Sequence, residues 1–282
     1  MSKIGIVFEG GGMRGLYTAG VIDELIDLNL NIDTCIGVSA GACFGVNLLS
    51  KQKKRVLNYN KEFCNDKRYM GFSSLIKTGN IINEEFAYHE VPFKYYPFDD
   101  EEYKKSKIKF YAVATNVETG KPEYIQIKNA SEQIDVIHAT SAMPFVSKMV
   151  EMDGKKYLDG AIGDSIPVKK IFEMGCDKVI VVLTRVEGYR KKKGLEPFTN
   201  FFYRKYPNLA KAVNRRYIMY NETLDYIKEL EDQGKIVVIR PSKNLKLKRV
   251  ENNPDRLQDM YDLGVNDFKA KLKDIKNYLK IK

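Results

Sequence analysis

The chain has 282 residues and is 44% hydrophobic, enough to bury a sizeable core and too apolar for a disordered chain. Its 47 Lys and Arg against 37 Asp and Glu leave a net charge of +10, which calls for an anionic partner: an acidic lipid surface, an anionic substrate or nucleic acid. Two histidines and four scattered cysteines (Cys35, Cys43, Cys64, Cys176), with no C-x-x-C pair, argue against a zinc site or a disulfide framework, so the thiols read as reduced and buried. The opening residues turn polar too soon for a signal peptide, and no stretch approaches the ~20 apolar residues of a membrane span, so the expected location is the cytoplasm.

Residues 3–8 form a short apolar run that reads as a buried strand, and a glycine cluster follows it. Apolar residues then recur at helical spacing over 16–30, with Asn29 and Asn31 ending the helix, residues 34–38 read as a second strand, and 40–50 as a helix of small and apolar residues. Strand, turn, helix, strand and helix within fifty residues is the opening of a parallel α/β sheet. Strands are predicted at 108–115 and 124–127, around the turn Glu118-Thr119-Gly120-Lys121-Pro122. Ser131 is placed to cap a helix running towards Met143 and stopped by Pro144. Runs 149–152 and 155–158 flank Asp153-Gly154 as a hairpin. Residues 168–174 return to helix, 178–183 and 236–239 read as strands, and the Lys-rich end from Arg256 is helical.

Gly10-Gly11-Gly12-Met13-Arg14-Gly15 joins a strand to a helix and matches the dinucleotide fingerprint G-x-G-x-x-G. That reading requires an acid at the end of the following strand, to hold a ribose hydroxyl. Here that strand ends in Gly37-Val38-Ser39-Ala40-Gly41, and the nearby Asp33 precedes it. What survives is the physical use of the glycines: uncovered backbone N–H groups at the positive end of a helix, with Arg14 beside them, where an anion can sit.

Gly37 to Gly41 is G-x-S-x-G at a strand–helix junction, the turn that lifts a serine hydroxyl above a sheet, with Gly37 and Gly41 giving it room. An α/β-hydrolase would next supply an acid and then a histidine, but no histidine follows His138. His89 and His138 read as packing or hydrogen-bonded residues. Asp159-Gly160-Ala161 directly follows the hairpin, so Asp159 stands at the end of a rigid strand, although the tripeptide alone also reads as an ordinary turn. A carboxylate of reference pKa ~3.9 is a weak base and must lie within hydrogen-bond reach of the hydroxyl to help it.

In order and in context these three motifs resemble the patatin-like phospholipase family, as does the stretch Ala139-Thr140-Ser141-Ala142-Met143-Pro144-Phe145 ahead of the aspartate. The likeness covers about residues 4–175. It implies a three-layer α/β/α fold with a mostly parallel sheet, a Ser39–Asp159 dyad, and hydrolysis of phospholipid or lysophospholipid esters through an acyl-enzyme. It further implies an oxyanion site at Gly11, Gly12 and Ala40, within the anion-binding loop of Gly10, Arg14 and Gly15, and a D-G-[GA] motif completed by Gly160 and Ala161. No cofactor and no metal are called for. An esterase for soluble or neutral-lipid esters, or a non-catalytic lipid-binding protein on the same fold, are the alternatives.

Residues 4–175 are expected to form the catalytic core, and 176–282 to complete the sheet within one structural domain. Between 189 and 217 stand nine Lys or Arg against one acid, Glu196, with seven aromatics including Phe198, Phe201, Phe202 and Tyr203. Such a segment suits peripheral contact with an anionic membrane, or is an ordinary solvated face with its rings tucked in. No helix-turn-helix, RRM or finger motif favours nucleic acid.

Overall fold

The computed structural model describes residues 2–281. Strands β1 (Ile4–Phe8), β2 (Thr34–Val38), β3 (Lys109–Asn116), β7 (Lys178–Val182) and β8 (Ile236–Ile239) form the parallel part of one eight-stranded sheet. Its order is β5-β6-β3-β2-β1-β7-β8, where β5 is Val150–Met152 and β6 is Lys155–Asp159; β4 (Pro122–Ile127) pairs with β3. Pairings β3–β4, β3–β6 and β5–β6 are antiparallel. The parallel strands are nearly continuous apolar runs because both of their faces are covered.

Alternation along β1 divides its side chains between two layers. Ile6 and Phe8 pack with α1 (Leu16–Leu28), α2 (Ala40–Leu49), α3 (Arg55–Phe63) and α10 (Pro254–Leu279), whereas Val7 packs with α7 (Val168–Glu173) and α9 (Pro207–Asp232). The fold is a three-layer α/β/α sandwich with a mostly parallel sheet. Among the described residues no helix is long and apolar enough to cross a membrane. The four cysteines are unpaired thiols, and burial pushes Cys43 up to about 12.

Several expectations shift. The first helix stops at Leu28, where Asn29 turns left-handed at φ 49° and caps it. Ser131 is not a helix cap: the Asn129 side chain accepts the N–H groups of Ser131 and Glu132 in a turn of its own, and α6 (Ile134–Ser141) starts after it. The last helix begins at Pro254, two residues before Arg256, because Asn253 accepts the N–H groups of Asp255 and Arg256. The basic aromatic stretch is largely helical, as α8 (Glu196–Phe202) followed by the 26 residues of α9. Between α3 and β3 lie α4 (Phe72–Thr78), a wide-wound helical segment Glu85–Tyr95 and α5 (Asp100–Lys105).

Helices α1 and α10 approach closely through a reciprocal pair of glycines. A Cβ on Gly20 would stand 2.2 Å from the Tyr261 carbonyl oxygen, and one on Gly264 2.1 Å from that of Tyr17. Neither obstacle is a movable side chain, so Gly264→Ala should cost about 1–3 kcal/mol of stability through overpacking. Urea denaturation checks this; an unchanged midpoint would mean the helices separate without strain.

Candidate active site

One strand positions both candidate side chains. On β3, Val113 pairs with Val38 of β2, and the next residue, Ala114, pairs with Asp159 of β6. Because β4 occupies the other edge of β3 along 110–115, β2 and β6 must share the same edge, one beginning where the other ends. Ser39, one residue past Val38, therefore meets Asp159, and its Oγ donates to Asp159 Oδ2 at 2.8 Å. The approach depends on Gly160, where a Cβ would lie 2.0 Å from the Val113 carbonyl oxygen.

Ser39 has φ 55° and ψ −129°, a strained conformation for a residue with a side chain. Its N–H is held by Thr140 Oγ1 at 3.0 Å, and Thr140 in turn donates to the Val113 carbonyl. The glycine loop lies directly on this elbow. A Cβ on Gly10 would stand 2.8 Å from Ser39 Cβ, one on Gly15 3.0 Å from Ala40 Cβ, and one on Gly41 2.4 Å from the Phe8 carbonyl oxygen. Gly12 has φ +57° and would there meet the Arg249 carbonyl oxygen at 2.6 Å. Met13 N–H is taken by that same carbonyl, whereas the N–H groups of Gly10, Gly11, Gly12 and Ala40 have no acceptor among the described residues. Unpaired backbone donors beside a serine hydroxyl are what an oxyanion requires.

Asp159 is buried, and its second oxygen, Oδ1, accepts Ala161 N–H at 2.8 Å. Burial raises its pKa above the ordinary value, and the nearby Arg216 charge, the Ala161 N–H and the Ser39 hydroxyl oppose that rise. Arg14 is 9% exposed, and its Nε has no hydrogen-bond partner. Burial, then Arg185 and Arg249, bring its pKa down to about 10.

The histidines stand apart from this pair. His138 is buried in α6, its ring centroid 4.8 Å from that of Tyr88 and its Nδ1 3.6 Å from a Glu84 oxygen, and burial lowers its pKa. Neither His138 nor His89 hydrogen-bonds Ser39 among the described residues. The Asp33 carboxylate accepts Ile4 N–H at 2.8 Å, at the opposite end of the strands from the glycine loop, where no bound ribose could reach it. Glu9, which the motifs did not single out, is buried and fully engaged: Tyr220 Oη donates to one oxygen at 2.6 Å, and Thr184 N–H and Oγ1 donate to the other.

Two chambers meet at Ser39 and share Gly12, Met143 and Arg249 in their walls. One is a mainly apolar cavity of about 1010 Å³ including its mouth, lined by residues such as Met13, Phe44, Tyr59, Tyr88 and Ile137. The other, about 550 Å³ including its opening to solvent, contains Asp159, Glu9 and a set of cations.

The family profile described as patatin-like phospholipase matches residues 6–171. The chain belongs to the patatin-like phospholipase family. At the level of that family it is a lipid acyl hydrolase. Residues 206–280 match a second profile, a domain of unknown function (DUF6363). The uncharacterized protein YjjU of Escherichia coli is 28% identical, over 93% of this chain and 75% of that protein. A lysophospholipase nte1 of Aspergillus terreus is 25% identical over 64% of this chain, which spans only 12% of that protein's length. A putative patatin-like phospholipase domain-containing protein, M110.7, of Caenorhabditis elegans is 24% identical over 64% of this chain and 17% of its own.

For this member of the family, Arg216→Gln removes a cation that favours ionised Asp159 and should move the Asp159 pKa further up. Carbon-13 titration of the carboxyl group reads the shift directly. A downward shift, or none, would mean Arg216 does not act on Asp159.

Proposed function

We propose that this chain cleaves a carboxylic ester of a phospholipid or lysophospholipid, with Ser39 as nucleophile and Asp159 as its base. The observation that carries the reading is the 2.8 Å Ser39–Asp159 hydrogen bond at the junction of an apolar and a charged chamber. Asp159 takes the Ser39 proton as Oγ attacks the carbonyl carbon. The amides of Gly11, Gly12 and Ala40 hold the oxyanion, and the field of Arg14 favours it. Asp159 then passes the proton to the leaving alkoxide, and water, deprotonated by the same carboxylate, releases the fatty acid from Ser39. The lysophospholipase name of a relative and the apolar lining of the first chamber support a substrate with a long acyl chain. That lining also favours lipid over soluble esters.

Ser39→Ala and Asp159→Asn should each lower kcat by about 10³-fold or more, and the double variant little further, because groups acting as one unit are not additive. Full activity in Asp159→Asn, with loss in His138→Ala, would transfer the base role to the histidine. Since Asp159 must be ionised to accept the proton, kcat/KM should fall towards low pH, with a limb above the ordinary carboxylate range.

The same reading includes a contact with an anionic lipid surface, through part of the basic aromatic segment. Leu195 is 78% exposed and Phe201 69%, and Lys192 is exposed beside them. Phe198 and Phe202 pack against Phe145, two residues from Met143 at the chamber walls, which would bring a membrane held by this patch near the site. Lys191 is not part of that surface: it points into the charged chamber. Leu195→Ser with Phe201→Ser should weaken co-sedimentation with phosphatidylglycerol vesicles. Binding equal to wild type would make the patch an ordinary face.

A further inference from the structure

The charged chamber gathers Arg14, Arg185, Lys191, Arg216 and Arg249 around two carboxylates, those of Glu9 and Asp159. None of the five cations forms an ion pair among the described residues. Their contacts are of other kinds. Lys191 Nζ lies over the Tyr220 ring at 4.6 Å, Arg185 over the Tyr189 ring at 4.3 Å, and Arg216 Nε is 3.5 Å from Ser165 Oγ. Both Glu9 oxygens are already occupied by Tyr220 and Thr184, and both Asp159 oxygens by Ser39 and Ala161. Five cations outnumber the two carboxylates, and with no ion pair to fix them they repel one another, so the chamber favours an entering anion.

We propose that this chamber is a head-group subsite for an anionic phosphate, so that the substrate is an acyl ester with a net negative head. The inference rests on the ester-hydrolase reading above and adds the substrate's charge. The geometry gives the orientation. Asp159, which returns the proton to the leaving alkoxide, lines the charged chamber and not the apolar one. The acyl chain therefore occupies the apolar chamber, and the alcohol with its phosphate faces the cations. Arginine forks and an ammonium suit phosphate oxygens, and a choline head would bring a further cation into a positive field. The environment of Lys191 agrees: burial, then Arg216, Arg249 and Arg185, push its pKa down to about 7, so an arriving anion would restore its proton. Arg216 and Arg249 both lie in the segment matched by the domain of unknown function, and through them that segment supplies head-group cations to the hydrolase core.

The test compares lysophosphatidic acid, lysophosphatidylcholine of the same chain length, and uncharged p-nitrophenyl butyrate. Wild type should favour the phosphate monoester over the choline ester by about tenfold or more in kcat/KM. Lys191→Gln and Arg185→Gln should each lower the ratio of lysophosphatidic acid to butyrate activity by a similar factor, and Lys191→Arg should restore it. Calorimetry with glycerol 3-phosphate reads the subsite without turnover: the Ser39→Ala protein should bind it, and Ser39→Ala with Lys191→Gln should not. Hydrolysis through Ser39 with no preference for the anionic head, and no binding of glycerol 3-phosphate, would overturn the subsite and leave the hydrolase reading standing. No ester cleavage by wild type, with glycerol 3-phosphate bound and lost in Lys191→Gln, would overturn the hydrolase reading and leave the anion site in place.

Discussion

Strand β3 receives two partners along the same edge, β2 up to Val113 and β6 from Ala114, and this register determines where the chemistry can occur. Because the strands are hydrogen-bonded in place, the end of β2 and the end of β6 must face each other, and Ser39 and Asp159 occupy those two ends. The approach is so tight that side chains are excluded around it. Gly160 lies on the Val113 carbonyl, Gly10 on Ser39, and Gly41 on the carbonyls of Phe8 and Glu9. These glycines are thus a steric requirement of the site. Thr140 extends the same constraint, since it bridges the Ser39 N–H to the Val113 carbonyl and leaves the serine no slack.

The second organising feature is the separation of polarity on either side of that pair. The apolar chamber grows from the layer that packs α2, α3 and the wide-wound segment Glu85–Tyr95. The charged chamber is closed by α9 and by the loop before α10. Glu9 fastens the two halves, because its carboxylate reaches Tyr220 of α9 and Thr184 just past β7 from the start of the glycine loop. Gathering cations there opposes stability through their mutual repulsion. Such cost at a functional site is familiar, and here it falls on residues that no core packing would select.

Much of this was legible in the sequence. The strand–turn–helix punctuation around the glycine loop and G-x-S-x-G gave the parallel core, and Asp153-Gly154 gave the hairpin that leads to Asp159; both turn residues have positive φ, 48° and 71°. Charge was harder to place. Lys191 and Arg216 belong to a stretch whose composition reads as one basic surface, yet they turn inward while Leu195 and Phe201 turn out. Composition averages over such a division; only the packing of α9 against the sheet separates it. Arg249 comes from a loop some two hundred residues after Ser39, and no local pattern links the two. Helix α9 escaped notice because its exposed face is rich in charge and its buried residues, such as Leu209, Tyr220 and Ile227, are sparse. The segment Glu85–Tyr95 carries Pro92 within it, which reads as a helix breaker.

The central claim is that the acyl group passes through Ser39. Its most direct test is mass spectrometry of the protein, acid-quenched within milliseconds of mixing with a lysophospholipid and then digested. The account predicts that the peptide bearing Ser39 gains the mass of the fatty acid less one water, in an amount that decays as fatty acid appears. Release of fatty acid with that peptide unmodified throughout, or with the acyl group on another residue, would contradict it.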